Sequence, residues 1–248
     1  MPDPKEPSYT FHASAFASQG QITRPFDEVL EVQAEIKLPS VGGYGSARAE
    51  NYRYRDLISF DRAYSVVTGS SSSDGNSHET LVMVAIERLN IMNMVTADRV
   101  VGRLTSSYKK AAKPEEQQEQ HLLPVGSYFV NLQIAGNPVS VRSNAVIQCA
   151  GGFSDLMGQG NFLKQDDGSH CASIFDPFVD GFYSGVLKKP AEAKLGCAIH
   201  IRGFGTIILG QYIVKRDSRT LTMIECRLGC AVEGIHKSGD LQGNGIPG

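Results

Sequence analysis

Five cysteines, six histidines and scattered carboxylates are the groups in this chain that could do chemistry. Cys226 and Cys230 stand four apart in "CRLGC". On a helix that spacing puts both thiols on one face, as metal ligands sit. On a strand it also puts them on one face, but roughly 13 Å apart, too far for a mutual disulfide. The flanks "LTMIE" and "AVEGI" favour strand, and zinc sites use tighter pairs with a second pair at a set distance. The two are therefore read as buried thiols, or as partners in disulfides to Cys149, Cys171 or Cys197, with the connectivity open. His170 and Cys171 are neighbours in sequence and so do not form a dyad on a strand, where neighbours point to opposite faces. A catalytic Cys–His pair would need His200 or His236 brought to Cys171.

Asp155, Asp166, Asp167, Asp176 and Asp180 fall in or near a Gly-rich, loop-like stretch. Calcium uses such oxygen-rich loops, but the EF-hand spacing is missing and solvated turn acids are the commoner case. Asp61, Glu87 and Asp98 could act as a glycosidase-like acid and base if distant strands brought them together. Ser154, Ser169 and Ser184 are not set in a G-x-S-x-G elbow. No G-x-G-x-x-G or G-x-x-x-x-G-K-[ST] follows a strand, so a nucleotide fold is unsupported. The expectation is that the chain has no catalytic residues, no metal site and no cofactor, and that its ligand-binding residues, if any, are unknown.

The elements that would position these groups read as strands. In "YTFHASAFA", Tyr9, Phe11, Ala13, Ala15 and Ala17 fall on one face at period two. In "VQAEIKL", Val32, Ala34, Ile36 and Leu38 oppose Gln33, Glu35 and Lys37. "PSVGGYGS" (39–46) reads as a turn or loop. "NYRYRDL" sets tyrosines and arginines on opposite faces of a strand. Either the tyrosines pack inward with the arginines reaching solvent, or the pair forms an exposed interface. "SSSSDGNSHE" (70–79) reads as an exposed mobile loop. "LNIMNMVTADRVVGRLTSSY" (89–108) reads as two strands broken near Thr96–Ala97, with Asp98 at a strand start or turn. "SYFVNLQIAGNPVSV" (127–141) is strand, turn on Gly136–Asn137–Pro138, strand. Residues 197–235 are nearly all strand, with a turn at Lys215–Arg219.

This is one β-rich domain over 1–248, with a polar insert near 109–121 and an irregular region near 151–193. The fold class is all-β, a two-sheet sandwich or a β-solenoid-like stack with long polar loops. The 248 residues suffice to bury a core without disulfides. A net charge of −2 offers nothing to a nucleic-acid backbone or an anionic membrane. The absence of Trp weakens a carbohydrate platform built on indole stacking. No apolar run reaches the roughly 18 residues of a membrane span, and "MPDPKEPSYTF" has neither the basic nor the apolar region of a signal peptide.

Four blocks come in a telling order: "GGYGSARAENYRY", "ERLNIMNMVTADRVVGRLTSS", "FVNLQIAGNPVSV" and "GTIILGQYIV…RTLTMIECRLGCAVEGIHKSGDLQGNG". Together they resemble the choice-of-anchor P family of bacterial proteins, which share a β-rich extracellular region and differ in how the C terminus attaches to the cell. The resemblance implies an extracellular or cell-surface domain of unknown activity and brings no catalytic residues. The sequence as it stands departs from that pattern, with no signal peptide, sorting motif or anchor tail to read, so the expectation is either a mature chain from which the terminal signals were removed or a soluble member, with a cytoplasmic location as the alternative. The first expectation is a non-enzymatic structural or adhesive protein that self-associates as a homo-oligomer, filament or surface assembly, a neighbouring subunit covering an edge strand. A glycan or small-ligand binding module, using the loops at 70–79 and 151–180, is the second. A hydrolase with carboxylates from distant strands is the third.

Overall fold

The computed structural model describes residues 9–110, 121–145, 147, 152–158, 162–176, 187–188, 197–215, 218–230 and 232–247. The chain first lays down β1 (Tyr9–Arg24), β2 (Glu28–Gln33) and β3 (Ile36–Lys37). It then builds β4 (Gly43–Tyr54), β5 (Ile58–Ser71), β6 (Ser77–Ile91) and β7 (Val95–Lys109). Four short strands follow: β8 (His121–Leu123), β9 (Tyr128–Val130), β10 (Gln133–Ile134) and β11 (Asn137–Pro138). After β12 (Arg142–Ser143) and the short helix α1 (Phe153–Gly158) come β13 (Leu163–Lys164), β14 (His170–Ser173) and β15 (Phe175–Asp176). The last strands are β16 (Leu187–Lys188), β17 (Cys197–Ile201), β18 (Gly205–Val214), β19 (Arg219–Cys230) and β20 (Val232–Pro247).

These strands form two antiparallel sheets, neither closed into a barrel. The first runs β13–β14–β18–β19–β20–β1–β2, with β17 and β3 alongside and β16 beyond β17. The second runs β11–β10–β7–β6–β5–β4, with β8 and β9 also on β7. β12 and β15 make a separate small pair. The second sheet is thus a continuous block of sequence inserted between β1–β3 and the strands that complete the first. Of the two expected architectures, the two-sheet sandwich fits this arrangement.

Alternation puts the core between the sheets. Tyr9, Phe11, Ala13, Ala15 and Ala17 are all buried on β1, as the period predicts. They join Val82, Val84, Ile86, Leu104, Leu221 and Met223 in one cluster drawn from both sheets. The sheets approach so closely that a Cβ on Gly102 of β7 would lie 2.6 Å from Leu241 Cδ1 of β20. Tyr212 of β18 donates its hydroxyl proton to the Leu122 carbonyl of β8 at 3.0 Å, so its buried polar end is satisfied across the sandwich.

Several boundaries differ from the sequence reading. The expected loop at 70–79 is a tight hairpin turn: Ser70 and Ser71 belong to β5, and Ser77–Glu79 to β6. The break expected at Thr96–Ala97 lies earlier, at Met92–Met94, where Met92 and Asn93 both take left-handed backbone. A hairpin turn of that kind usually carries Asn-Gly, and Met at its first position hid it. β4 starts at Gly43, inside the expected 39–46 turn. Asn137 and Pro138 are in β11 and not in the turn before it. Most of the 109–121 insert and much of 151–193 lie outside the described residues.

One feature of the backbone is shared by both sheets. In the second sheet the ladder passes from Glu50↔Arg62 to Tyr52↔Phe60, and from Glu87↔Arg99 to Leu89↔Ala97, without changing register. The skipped row is Asn51, Asp61, Arg88, Asp98 and Asn131. Its alternate members Asn51, Arg88 and Asn131 have φ of 52°, 54° and 50°. In the first sheet the skipped row contains Ala34, Ala17, Gly239, Met223 and Gly210. Ala34, Gly239 and Gly210 again alternate as left-handed residues, with φ of 51°, 65° and 59°. A residue in this conformation breaks the strict in/out alternation, as in a β-bulge. Because every strand breaks at the same level, register survives and each strand switches face together. On β5 the buried positions are Ile58 and Phe60 before the row, and Ala63, Ser65 and Val67 after it.

Candidate functional site: the outer face of the second sheet

The switch leaves two consecutive polar residues outward on each long strand of the second sheet: Glu50–Asn51, Asp61–Arg62, Glu87–Arg88 and Asp98–Arg99. Three of the four are acid-then-arginine. Adjacent strands run in opposite directions, so the same order of residues places an acid beside a base on every neighbour. One cross-strand row therefore reads Glu50, Arg62, Glu87, Arg99. The next reads Asn51, Asp61, Arg88, Asp98, Asn131.

Side-chain contacts follow this pattern. Arg62 Nε is 3.0 Å from Glu87 Oε2, and Arg88 Nε is 2.6 Å from Asp61 Oδ2. Asn131 Nδ2 donates to Asp98 Oδ2 at 2.5 Å. The Tyr64 hydroxyl donates to Glu87 Oε1 at 3.1 Å and accepts from Arg99 Nη2 at 3.2 Å. Arg48 pairs with Glu50 on the edge strand. Exposed cross-strand pairs of this kind contribute about 0.2–1 kcal/mol each. They hold side chains in place more than they stabilise the fold.

Beside the charged rows the same face turns apolar. The next cross-strand row is Arg48, Tyr64, Ala85, Val101 and Tyr128, and the one after is Ser46, Val66, Met83 and Arg103, so the apolar residues hold the middle of both rows. Ala85 and Val101 are only 1% and 6% exposed, yet they stand outside the core cluster, on the opposite side of the sheet from Val84 and Ile86. At the far end lies a groove of ≈ 410 Å³. Its outward lining sets the hydroxyls of Thr68, Ser70, Thr105 and Ser107 and the charges of Glu79 and Arg103 around Leu81 and Leu123, with His121 of β8 at its end. The face thus runs from charge through an apolar strip to a hydroxyl-lined groove.

The edge strand of this sheet is β4, hydrogen-bonded among the described residues to β5 alone. It carries Arg48, Glu50 and Arg53 and the left-handed Asn51. Charges and a local twist are the features that discourage another strand from adding to an edge. Glu28 of β2 accepts from Tyr54 and Arg55 where β4 ends, tying it to the neighbouring sheet.

The model of a domain of unknown function, DUF8256, matches residues 9–151, more than half of the chain. The chain belongs to the DUF8256 family. The matched segment takes in β1–β3 and the whole second sheet, so the charged rows, the apolar strip and the groove all lie within the family's domain. No curated protein and no solved structure matches the chain.

The residues singled out in sequence are distributed as follows. Asp61, Glu87 and Asp98 are brought together on one face, each with a basic or amide partner, and the charged rows they belong to lie outside the groove. Cys171 and Cys226 are free, buried thiols, so of the two alternatives read for Cys226 the buried thiol stands. Burial pushes the Cys171 thiol up to about 11, so it stays protonated at neutral pH and is a poor nucleophile. His236 lies in the sandwich interior on β20, three strands from Cys171 on β14, and His200 is exposed on β17. Neither histidine is brought to Cys171; His236 instead stands opposite buried Cys226 in the β19–β20 ladder. Cys230 continues β19 from Cys226, as the strand reading required; Cys149 lies outside the described residues.

The acids considered for calcium do not converge among the described residues. Asp167 caps the β13–β14 turn through Ser169 and meets Lys215 at 3.2 Å, and these hydrogen bonds hold its carboxyl down at about 2. Asp155 is on α1 and Asp176 on β15. Asp180 and Ser184 lie outside the described residues, and among the described residues no three His, Cys, Asp or Glu gather as metal ligands. In "NYRYRD", Tyr52 and Tyr54 pack against the core and Arg53 points to solvent, the packing alternative of the two. Sequence reasoning missed Arg62, Arg88, Arg99, Asn51 and Asn131. The signal for most of them is visible: an apolar residue, two polar residues, then an apolar residue, at 49–52, 60–63, 86–89 and 97–100.

Proposed function

We propose that this is a non-enzymatic structural protein that self-associates, using the outer face of the second sheet as its contact surface. The observation that carries this reading is the anatomy of that face. Half-buried Tyr64, Val66 and Met83 and exposed Tyr128 stand between ordered charge on one side and a hydroxyl-rich groove on the other, the arrangement of a protein interface with an apolar centre and a polar rim. The blunted β4 edge supports association through the face in preference to strand addition. The resemblance to the choice-of-anchor P family supports an extracellular or cell-surface setting for the assembly. Among the described residues no helix is long and apolar enough to cross a membrane.

Size-exclusion chromatography with light scattering, run across a wide concentration range, tests the reading. A concentration-dependent oligomer is expected; a monomer at every concentration overturns it. The hydroxyl-lined groove favours a second reading, a module that binds a glycan or other small polar ligand. Calorimetric titration with a panel of neutral and acidic oligosaccharides tests that one. Binding lost in Arg103→Ala supports it, and no heat from any sugar removes it.

A further inference from the structure

The charged rows have a symmetry property that names the partner and its orientation. Read across strands β4 to β7, one row is minus, plus, minus, plus: Glu50, Arg62, Glu87, Arg99. Reversed, it is plus, minus, plus, minus. A second copy turned by a twofold axis parallel to the strands, passing between β5 and β6, presents this reversed row. We propose that two copies of this chain pack face to face about that axis through the outer face of the second sheet; this rests on the self-association reading above and specifies its geometry.

The pairings follow from register alone. Arg62 meets the second copy's Glu87, and Glu50 meets its Arg99. In the adjacent row Asp61 meets Arg88, and the Asn51 amide meets Asp98. In the apolar strip Val66 falls over Met83, both half-buried in the single chain. Every contact is repeated by the symmetry, as in any isologous interface. No row sets like charges against each other. The axis runs along the strands, which agrees with the aligned packing of sheets whose strand directions stay within about 30°. The in-plane pairs Arg62–Glu87 and Arg88–Asp61 hold these side chains in position before the copies meet. That lowers the ordering cost of association.

A charge-sorting experiment tests this. Arg62→Glu with Arg99→Glu makes the first row wholly negative; Glu50→Arg with Glu87→Arg makes it wholly positive. Each double variant is expected to be monomeric at concentrations where the parent is a dimer, and an equimolar mixture is expected to form a one-to-one heterodimer. Circular dichroism and thermal melting check that each is folded. If both variants remain dimers alone, or if folded variants stay monomeric when mixed, this geometry is overturned while self-association stands. A parent that is monomeric throughout overturns both. Should a double variant fail to fold, Arg62→Glu alone carries the test, with at least a tenfold rise in the dimer dissociation constant expected and an unchanged constant overturning the geometry. Val66→Glu, which leaves the charged rows intact, is expected to weaken the same dimer.

Discussion

In the first sheet the left-handed residues are Ala34, Gly239 and Gly210, with Ala17 and Met223 between them; in the second they are Asn51, Arg88 and Asn131, with Asp61 and Asp98 between. The backbone does the same thing in both places. What differs is the side to which the doubled residues point. In the first sheet they point into the sandwich: Leu209–Gly210, Met223–Ile224 and Ser238–Gly239 are all buried. A Cβ on Gly210 would lie 2.4 Å from the Phe175 ring, and one on Gly239 would meet Met223 at 3.2 Å. In the second sheet the doubled residues point to water, so long charged side chains fit. The comparison teaches that the bend belongs to the backbone, and that residue choice at it is dictated by the space on the side it faces.

Substitutions at the two rows separate these ideas. The largest effect is expected for Gly210→Val, which meets both the left-handed backbone and the Phe175 ring; a loss of about 3–5 kcal/mol in urea unfolding follows from strain plus overpacking. A loss under about 1 kcal/mol would break the comparison. Next comes acid sensitivity. His236 of the first sheet is fully buried, 2.8 Å from Ser238 Oγ, and burial pushes its pKa down from 6.5 to about 4. The unfolded chain therefore binds the extra proton between those values. Stability from this group is complete above pH 6.5 and falls as pH drops toward 4, by up to roughly 1.4 kcal/mol per pH unit. His236→Gln should flatten that slope in chemical unfolding measured from pH 7 to 4.

Smaller effects belong to the solvent-facing row. Arg88→Val keeps the space but puts a β-branched side chain at φ 54°, and a loss of about 1–2 kcal/mol in the same unfolding assay is expected. A loss as large as that of Gly210→Val would show that the two rows do not differ in crowding. Asn51→Gly is expected to stay within about 0.5 kcal/mol of the parent, because relief at the left-handed position is offset by greater freedom in the unfolded chain. A melting temperature lowered by many degrees would mean that the Asn51 side chain, and not its backbone, matters.

The strands were legible because half-burial writes itself as alternation. Tyr9 to Ala17 and Ala63 to Val67 show this on either side of the sandwich. Asp61, Glu87 and Asp98 were legible as carboxylates but not as members of a row, because their meeting depends on the register of strands joined by hairpins. The outward doublets interrupt alternation visibly, with an acid and an arginine between apolar residues. The inward doublets do not: Met223–Ile224 merges with the apolar run around it. The hairpin at Met92–Asn93 lies earlier than the sequence reading because Met92 is not a usual turn former, and tertiary pairing of β6 with β7 overrode that preference.

The end residues of the outward row have a consequence for how such a sheet can change its width. Asn51 and Asn131 close it on both sides without charge. Between them stand three ions, Asp61, Arg88 and Asp98, and the Asn131 amide takes the place of a base beside Asp98. A hairpin gained or lost there changes the row by one acid and one base and keeps its net charge. Loss of a single strand would not have that freedom. The hairpin, with its two-residue polar word repeated in opposite directions, is the natural unit of growth for this half of the molecule.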